Sequence, residues 1–298
     1  GLYLTERRDC VGEITVASIG LPRELDPQGG LLVNEEGDLH TLLPDRPASA
    51  HKGDCGRTVI YAGSLGMAGA AMMAARAALH AGAGLTTVIC PRAAMPVLQQ
   101  EVPNATCLAA EDQPTPKCDA LLMGCGIAEN DDTYADMMRL KATDAYQVWD
   151  AGALNLLAGH PQQLGARAVI TPHAGEAARL LGWEIPAVLS DKLGAAEALR
   201  AKYGCNVVLK SAVTVMLTAD GQQCALNAVG SPALAKGGSG DALAGILASL
   251  LGQGLPMLDA MRAACLWLGL AGIAAGKRCG VRAALTGDVI DSLGACEG

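Results

Sequence analysis

Short apolar runs of strand length alternate with helical stretches between residues 57 and 209, and this alternation constrains the fold more than any other feature. The runs are 57–62, 85–90, 120–123, 148–150, 168–171 and 206–209. Strands separated by helices indicate βαβ units, which build a largely parallel sheet with helices on both faces. Apolar runs without strict polar alternation are typical of strands buried on both sides. We therefore predict an α/β fold that binds ligands beyond the carboxyl ends of its strands.

The remaining elements are predicted from the segments around these runs. Helices are expected at about 69–80, 94–102, 132–141, 191–203, 241–251, 257–276 and 287–293. Ser190 is predicted to cap the helix 191–203, because a serine side chain readily accepts a hydrogen bond from a first helical turn. Short strands at 213–217 and 223–227 flank Asp220 and Gly221, a dipeptide that favours a hairpin. A further strand is predicted at 13–19, ahead of a linker at 26–30.

The composition allows a sizeable buried core and argues against several classes of partner. Of the 298 residues, 51% are hydrophobic and 17% are charged, so the chain is not disordered. The net charge of −8 comes with no basic stripe, which argues against a nucleic-acid partner. The 11 cysteines form no C-x-x-C pair, so they indicate neither a zinc site nor a disulfide framework. Free cysteines in this number are typical of a reducing cytosol.

No segment of the sequence indicates a membrane anchor. Arg7, Arg8 and Asp9 interrupt the start of the chain before any apolar stretch, so we expect no signal peptide. The most apolar helix candidate, 263–276, has about 14 residues, whereas a membrane span needs about 20. We therefore expect a buried helix at that position, a cytoplasmic protein and no membrane partner.

The segment 236–241 (KGGSGD), directly ahead of an apolar helix, is the sharpest candidate for chemistry. Its glycines let the backbone approach a ligand closely, and the free amides of a helix start attract anions. Asp241 falls in the first turn, where its carboxylate can accept the proton of an attacking hydroxyl while the amides hold a phosphoryl group. The alternative is a plain loop in which Asp241 is only the helix N-cap.

Several familiar motifs are missing from the sequence. It has no Gly-x-Ser-x-Gly string and no Walker A motif, and the glycines at 63–69 have the wrong spacing for a Rossmann fingerprint. The sequence therefore leaves open a phosphate-handling enzyme that uses none of these motifs. The small residues at 63–64, 69–71 and 82–84 allow a large ligand to lie against the backbone, or serve close packing of a helix on the sheet.

Two further groups of polar residues follow predicted strands. In 171–176 (TPHAGE), Pro172 and Gly175 shape the loop, so His173 should project from the strand end and Glu176 should fall in the first helical turn. Lys210 follows the strand 206–209, where its ammonium can reach a phosphate. Each group has a structural alternative: a surface or capping role for His173 and Glu176, and a solvated lysine at a strand end.

Together these motifs resemble the NAD(P)HX dehydratase family, a branch of the ribokinase-like kinases. The matching segments occur in order at 51–56, 63–64, 69–71, 78–84, 124–126, 150–154 (DAGAL), 171–176, Lys210 and 235–245. The similarity covers about residues 32–298, and a series of ordered motifs is more specific than any one of them. It implies a ribokinase-like three-layer α/β/α domain at 30–298, with a mostly parallel central sheet.

The resemblance also implies a reaction. NAD(P)H hydrated at its nicotinamide ring (NADHX or NADPHX) is phosphorylated on the added hydroxyl by ADP or ATP, and elimination of phosphate restores NAD(P)H. Asp241 would be the catalytic base, and the anion hole would be Gly238, Ser239 and Gly240. The hydrated dinucleotide would contact Ala70, Gly126, His173 and Asp241. The adenosine nucleotide would contact Lys210, Ser211, Ala212, Val213, Thr214 and Gly240. Glu176 occupies the position at which related kinases organise Mg²⁺ through water.

The chain departs from the family pattern at two positions. Cys125 stands where the family usually has proline between two glycines, and Ser211 stands where it usually has glycine after the lysine. Neither change removes a catalytic group, but both can reshape a loop. Residues 1–25 resemble the end of a NAD(P)HX epimerase domain, which is often fused ahead of the dehydratase. The resemblance further implies a homo-oligomer, a tetramer in bacterial relatives.

Two other functions stay open from the sequence. One is a small-molecule kinase of the same superfamily, of the hydroxyethylthiazole type, which would release a stable phosphoester. The other is a nucleotide-binding protein without turnover. The 171–176 string and the pair Gly63 and Ser64 argue against the kinase, and the retained Asp241 argues against the non-catalytic protein.

Overall fold

The parallel sheet predicted from the sequence is present in the computed structural model of the chain, which describes residues 30–297 together with Leu4, Val11, Gly12, Ile14, Thr15, Ala17 and Gly20. Most of the predicted strand at 13–19 and of the predicted extension 1–25 lies outside these described residues. Within them, ten strands form a single sheet. One strand runs antiparallel to both of its neighbours, and every other neighbouring pair is parallel.

The strands are short, and those in the middle of the sheet are almost completely buried. Their bounds are β1 Leu32–Val33, β2 Arg57–Tyr61, β3 Leu85–Cys90, β4 Thr106–Ala109, β5 Ala120–Met123, β6 Tyr146–Trp149, β7 Ala168–Ile170, β8 Asn206–Leu209, β9 Thr214–Leu217 and β10 Cys224–Asn227. They lie side by side in the order β1-β10-β9-β8-β7-β6-β5-β2-β3-β4, and β9 is the strand that runs antiparallel to its neighbours β8 and β10. The predicted hairpin is the antiparallel pair of β9 and β10, in which Leu217 faces Cys224. The strand β4 was not predicted from the sequence, and it extends the sheet beyond β3.

Helices cover both faces of the sheet. Within the described residues they are α1 Leu39–Leu42, α2 Ala68–His80, α3 Met95–Glu101, α4 Asp131–Lys141, α5 Gly152–Gly159, α6 Ala174–Leu181, α7 Ile185–Ser190, α8 Lys192–Tyr203, α9 Ser239–Gly252, α10 Met257–Cys279 and α11 Thr286–Asp291. The predicted cap of α8 is wrong: Ser190 ends α7 and donates its hydroxyl to the Ala187 carbonyl. Asp191 caps α8 instead, by accepting a hydrogen bond from Gly194 N.

Successive residues of each strand point into two separate cores. Ile60, Leu122 and Val148 belong to one buried cluster, which also holds residues of α2, α9 and α10. Tyr61, Leu121, Met123 and Trp149, their neighbours along the same strands, belong to a second cluster with residues of α4, α5, α6 and α8. This division follows from the two-residue period of a β-strand. It confirms the predicted three-layer α/β/α architecture.

Small residues allow α2 and α9 to pack against each other along one face. Ala71, Ala74, Ala75 and Ala78 of α2 are fully buried. A side chain at Gly245 of α9 would overlap the carbonyl oxygen of Ala74, so the two backbones are in direct contact there. This packing fixes α9 over the middle of the sheet, and its first turn therefore lies at the carboxyl edge of the strands.

The helix α10 is longer than predicted, with 23 residues. Its length and composition alone fit a membrane span, but 67% of its apolar stretch is buried inside the protein. Ala263, Ala264, Leu266 and Ala271 are fully buried, in the same core cluster as α9. We therefore interpret α10 as a core helix, as expected from the sequence.

Candidate active site

Four neighbouring strands deliver polar side chains to one edge of the sheet. Cys125 follows β5, Asp150 follows β6, Thr171 follows β7 and Lys210 follows β8. The start of α9 lies over the same edge and supplies Asp241, so the structure brings residues 125, 150, 171, 210 and 241 together. Because parallel strands all end on one side, residues far apart in sequence become neighbours there.

The first turn of α9 has no side-chain cap. Its N-cap is Gly238, which has a left-handed backbone (φ +93°) and no side chain to accept a hydrogen bond. The Thr286 hydroxyl donates to the Gly237 carbonyl at 2.9 Å and so fixes the loop ahead of the helix. The turn that holds Gly240 and Asp241 therefore begins with backbone amides that no capping side chain covers, which is the arrangement that binds anions. The alternative in which Asp241 is itself the N-cap is wrong.

Asp241 has the environment of a base that works near neutral pH. Burial raises the pKa of Asp241 to about 6, and the charge of Asp150 acts in the same direction. A hydrogen bond from the Cys125 thiol and the charge of Lys210 oppose this rise. Active sites commonly shift carboxyl pKa values in this way, since a base is most efficient when its pKa lies close to the working pH.

Asp150 is the central residue of the site that sequence reasoning did not single out. It is buried, and its Oδ1 accepts hydrogen bonds from Lys210 Nζ at 2.6 Å and from the Thr171 hydroxyl at 2.8 Å. Burial alone would lower the pKa of Lys210, but the Asp150 carboxylate holds it above its ordinary value. Lys210 is therefore a charged lysine paired with a buried carboxylate, and the solvated alternative is wrong.

The backbone beside Asp150 is strained. Ala151 has φ +49° and ψ −119°, a conformation that residues other than glycine rarely adopt. Such strain costs on the order of 1–3 kcal/mol, and it persists where the surrounding structure over-determines the conformation, often at active sites. The tight turn from β6 into α5 is thus built to hold Asp150 in place. The signal available in the sequence was its position at the end of a predicted strand.

Cys125, Asp150 and Asp241 place their reactive atoms within 4.8 Å of one another. Burial, followed by the charges of Asp241 and Asp150, holds the pKa of the Cys125 thiol well above its ordinary value. Cys125 therefore carries its proton, and a protonated thiol is a poor ligand for Mg²⁺, which prefers oxygen. With Lys210 already balancing one carboxylate, this cluster does not fit a magnesium site.

His173 caps α6 with its side chain. His173 Nδ1 accepts hydrogen bonds from Gly175 N at 3.0 Å and Glu176 N at 3.3 Å. The Glu176 carboxylate returns the contact by accepting from His173 N at 2.8 Å, so the two residues form a capping box. The capping role considered for His173 and Glu176 is confirmed. The His173 imidazole is still 59% exposed at the edge of the site, whereas Glu176 is buried.

Ala70 and Gly126, predicted as substrate contacts, are neighbours. A Cβ atom at Gly126 would lie 2.8 Å from Ala70 Cβ and 2.8 Å from the Met67 carbonyl oxygen. The preceding loop is joined to the same place by the hydrogen bond from Gly63 N to the Cys125 carbonyl, 2.8 Å long. The start of α2 and the end of β5 therefore form one continuous wall beside Asp241.

A cleft of about 630 Å³ lies between the ends of β9 and β10 and the helices α9 and α10. Ser211, Ala212 and Thr214, three of the residues predicted to hold the adenosine nucleotide, line it. The other three lie elsewhere: Val213 is buried in the core, Lys210 faces Asp150, and Gly240 lies in the first turn of α9. The volume of the cleft is within the range of small-molecule sites, about 300–1,000 Å³.

Comparison with known proteins agrees with this architecture and shows the family to which the chain is similar. The profile of the NAD(P)H-hydrate dehydratase family matches residues 58–293. The bifunctional NAD(P)H-hydrate repair enzyme of Vibrio cholerae is 38% identical over 270 residues, which are 88% of this chain and 54% of the relative. The chain thus spans about half the length of that relative.

Two solved structures share the fold over nearly their whole length. A ribokinase-like superfamily protein from Enterococcus faecalis superposes with a TM-score of 0.81 and 27% identity, covering 91% of this chain and 96% of its own. The ADP/ATP-dependent NAD(P)H-hydrate dehydratase of Bacillus subtilis, co-crystallised with ATP and Mg²⁺, gives a TM-score of 0.80 and 25% identity, covering 89% and 97%. The chain has a ribokinase-like fold and belongs to the NAD(P)H-hydrate dehydratase family.

Proposed function

We propose that this chain dehydrates NADHX or NADPHX to NAD(P)H with ADP or ATP as phosphoryl donor. The observation that carries the proposal is Asp241, a half-buried carboxylate with a pKa of about 6 in the first turn of an uncapped helix. A base and an anion site side by side are what transfer of a phosphoryl group to a hydroxyl requires. The names of the similar proteins point to the same substrate.

In the first step, Asp241 accepts the proton of the hydroxyl that hydration added to the nicotinamide ring. The oxygen attacks the terminal phosphorus of the donor, and the bond from that phosphorus to the rest of the nucleotide breaks. The amides of Gly238, Ser239 and Gly240 hold the phosphoryl oxygens as charge builds on them. In the second step the C–O bond breaks, phosphate leaves, and loss of a ring proton restores the double bond of NAD(P)H.

The two substrates approach Asp241 from different sides. We assign the hydrated dinucleotide to the wall formed by Ala70 and Gly126, with the exposed imidazole of His173 at its edge. We assign the donor to the cleft lined by Ser211, Ala212 and Thr214, with its phosphates reaching the start of α9 at Gly240. Lys210 and Val213 support this cleft from behind. The separation of the two walls supports a ternary complex in which the phosphoryl group moves directly between substrates.

Mg²⁺ fits beside Glu176 through water. Both Glu176 oxygens face His173, one at 2.8 Å from its amide and the other at 3.5 Å from Nε2, yet a carboxylate retains lone pairs for water. Mg²⁺ keeps several waters and is often held by one carboxylate together with substrate phosphates. Bound there, it would neutralise charge on the donor phosphates.

The direct test is turnover. The purified chain is incubated with hydrated NADH or NADPH, Mg²⁺ and either ADP or ATP, and recovery of reduced-nicotinamide absorbance is followed together with release of inorganic phosphate. We expect both signals in equal amounts. A stable phosphorylated product without phosphate release would support the small-molecule kinase instead. Nucleotide binding without either signal would support the non-catalytic alternative.

We also propose the domain organisation, the cellular location and the oligomeric state of the protein. Residues 30–298 form the dehydratase domain, and 1–25 are the end of an epimerase domain; the relative named as bifunctional and about twice as long supports this. The protein is placed in the cytoplasm, where the ten free cysteines among the described residues would stay reduced. A homotetramer is expected, and light scattering of the purified chain would measure its mass.

A further inference from the structure

We propose that Asp150 and Lys210 act as one positioning pair, in which Asp150 holds the Lys210 ammonium away from Asp241 and leaves that carboxylate free to take the substrate proton. The inference rests on the proposed function, because it assigns Asp241 as the base. It adds a role for Asp150, which follows β6 and does not line the donor cleft.

The geometry of the pair carries the argument. Lys210 Nζ lies 2.6 Å from Asp150 Oδ1, and only 3.3 Å from where a Cβ atom at Gly240 would stand. The ammonium is therefore next to the residue that precedes Asp241. Because Asp150 and Asp241 oxygens approach within 4.8 Å, the same ammonium has two carboxylates within reach. The Thr171 hydroxyl at 2.8 Å and the strained Ala151 hold Asp150 as the preferred partner.

A direct pair between Lys210 and Asp241 would disable the base. A salt-bridged carboxylate binds a proton weakly, since a neighbouring cation at about 4–6 Å lowers its pKa by about 1–3 units. Without Lys210, in contrast, Asp150 and Asp241 would face each other as like charges, and Asp241 would hold its proton too tightly. The pair thus keeps the proton affinity of Asp241 between two unfavourable limits.

Four titratable side chains act on Asp241 from the elements packed around it: Cys125 after β5, Asp150 after β6, Glu176 in α6 and Lys210 after β8. Asp150 and Glu176 raise its pKa, whereas Cys125 and Lys210 lower it. Replacing Asp150 or Lys210 by a neutral residue should therefore shift the pKa of Asp241 in opposite, known directions.

The test compares D150N and K210M with the wild type by two measurements. The first is the pH dependence of kcat/KM for hydrated NADH at saturating donor. The second is the titration of Asp241 in the free protein by carbon NMR of labelled aspartate carboxyls, assigned with D241N. We expect D150N to lower by about one pH unit both the titration midpoint of Asp241 and the acid limb, which is the pH at which kcat/KM falls on the acid side. We expect K210M to raise both by about one unit. T171V, which removes a hydrogen bond to Asp150 but no charge, should move the acid limb by less than either charge exchange.

Shifts in the same direction, or no shift in either variant, would overturn the positioning role. A merely structural role would lower stability and the rate without moving the titration in opposite directions. The NMR measurement needs no turnover, so it decides this inference even if the chain fails to dehydrate hydrated NADH. Failure of the proposed function and failure of the pair are therefore distinguishable.

Discussion

Two helices, α6 and α9, begin at the same edge of the sheet, and their first turns are built in opposite ways. At α6 the His173 imidazole accepts hydrogen bonds from the second and third helical amides, those of Gly175 and Glu176. At α9 the corresponding amides belong to Gly240 and Asp241, and the N-cap Gly238 has no side chain to offer them. One helix start is satisfied by its own residues, and the other is available to an anion.

This difference supports the proposal that the phosphoryl group binds at the start of α9. A helix start whose amides already have partners gains little from a phosphate, whereas an uncapped start has orphan donors and the positive end of its dipole. Glycine at three of the four positions before Asp241 also keeps the approach open. We therefore expect changes at α9 to affect chemistry, and changes at α6 to affect mainly stability.

The largest effect is expected from Asp241→Asn. The amide keeps the shape of the side chain but cannot take a proton, so kcat should fall by about 10²–10⁴-fold. Donor affinity, measured by calorimetry, should stay within a few-fold of the wild type. The variant should also melt no lower than the wild type at pH 8. Because folding raises the pKa of Asp241 to about 6, the wild-type protein loses stability as the pH rises from about 4 to 6 and the carboxylate ionises, whereas asparagine does not ionise. Full activity would remove Asp241 from the mechanism.

The matched pair Gly240→Val and Gly175→Val tests the comparison itself, because both glycines are the second residue of their helices. A Cβ atom at Gly240 would crowd Lys210 Nζ and approach Asp150 Oδ2 at 3.7 Å. Overpacking of this kind costs about 1–3 kcal/mol, or about 5- to 150-fold in the apparent affinity for ADP or ATP.

The same substitution at Gly175 would instead press on the His173 ring, at 3.0 Å from Cε1. It should lower the melting temperature and leave the affinity for ADP or ATP unchanged. If Gly240→Val folds and keeps wild-type kinetics, the glycine run at α9 is structural and the two helix starts do not differ in function.

The pH dependence of the wild type sharpens the assignment further. If Asp241 is the base and acts as a carboxylate, kcat/KM should be half-maximal near pH 6 and fall about tenfold for each unit below that pH. The expected rate is constant from pH 7 to the point where another group titrates. An acid limb near pH 4 would mean that the reacting base is a carboxyl group with an ordinary pKa, and Asp241 would not be that group.

Much of this site could be predicted from the sequence because its parts are local. The glycine run followed by an apolar helix placed Asp241 in a first turn, and strand-length runs placed His173 and Lys210 at strand ends. The pairing of Asp150 with Lys210 was not predictable in this way. The two residues are 60 positions apart, and their strands β6 and β8 are not even adjacent, since β7 lies between them.

Local ambiguity explains the smaller errors. Ser190 and Asp191 are both good capping residues, and only the end of α7 at Ser190 decides that Asp191 takes the role. The strand β4 has four residues and, among the described residues, no neighbour beyond it, so its sequence signal is too short to separate from a loop. The sequence signal for His173 as the N-cap of α6 was also weak, because serine, threonine, aspartate and asparagine are the usual N-caps.

The smallest effect is expected from His173→Ala, which asks whether the capped helix start also serves the substrate. Loss of the cap should lower stability by about 0.5–2 kcal/mol. If the exposed imidazole also contacts hydrated NADH, its KM should rise by up to about tenfold, the value of one hydrogen bond, while the affinity for ADP or ATP stays the same.

The control for that variant is Asp191→Ala, which removes the cap of α8, a helix that carries no predicted site residue. Thermal melts and steady-state kinetics on both variants separate the two roles of His173. A comparable loss of melting temperature in both, with KM raised only in His173→Ala, would show that one histidine closes its own helix and binds the substrate. Unchanged kinetic constants in both would make His173 a capping residue alone, and the contrast between α6 and α9 would then be complete.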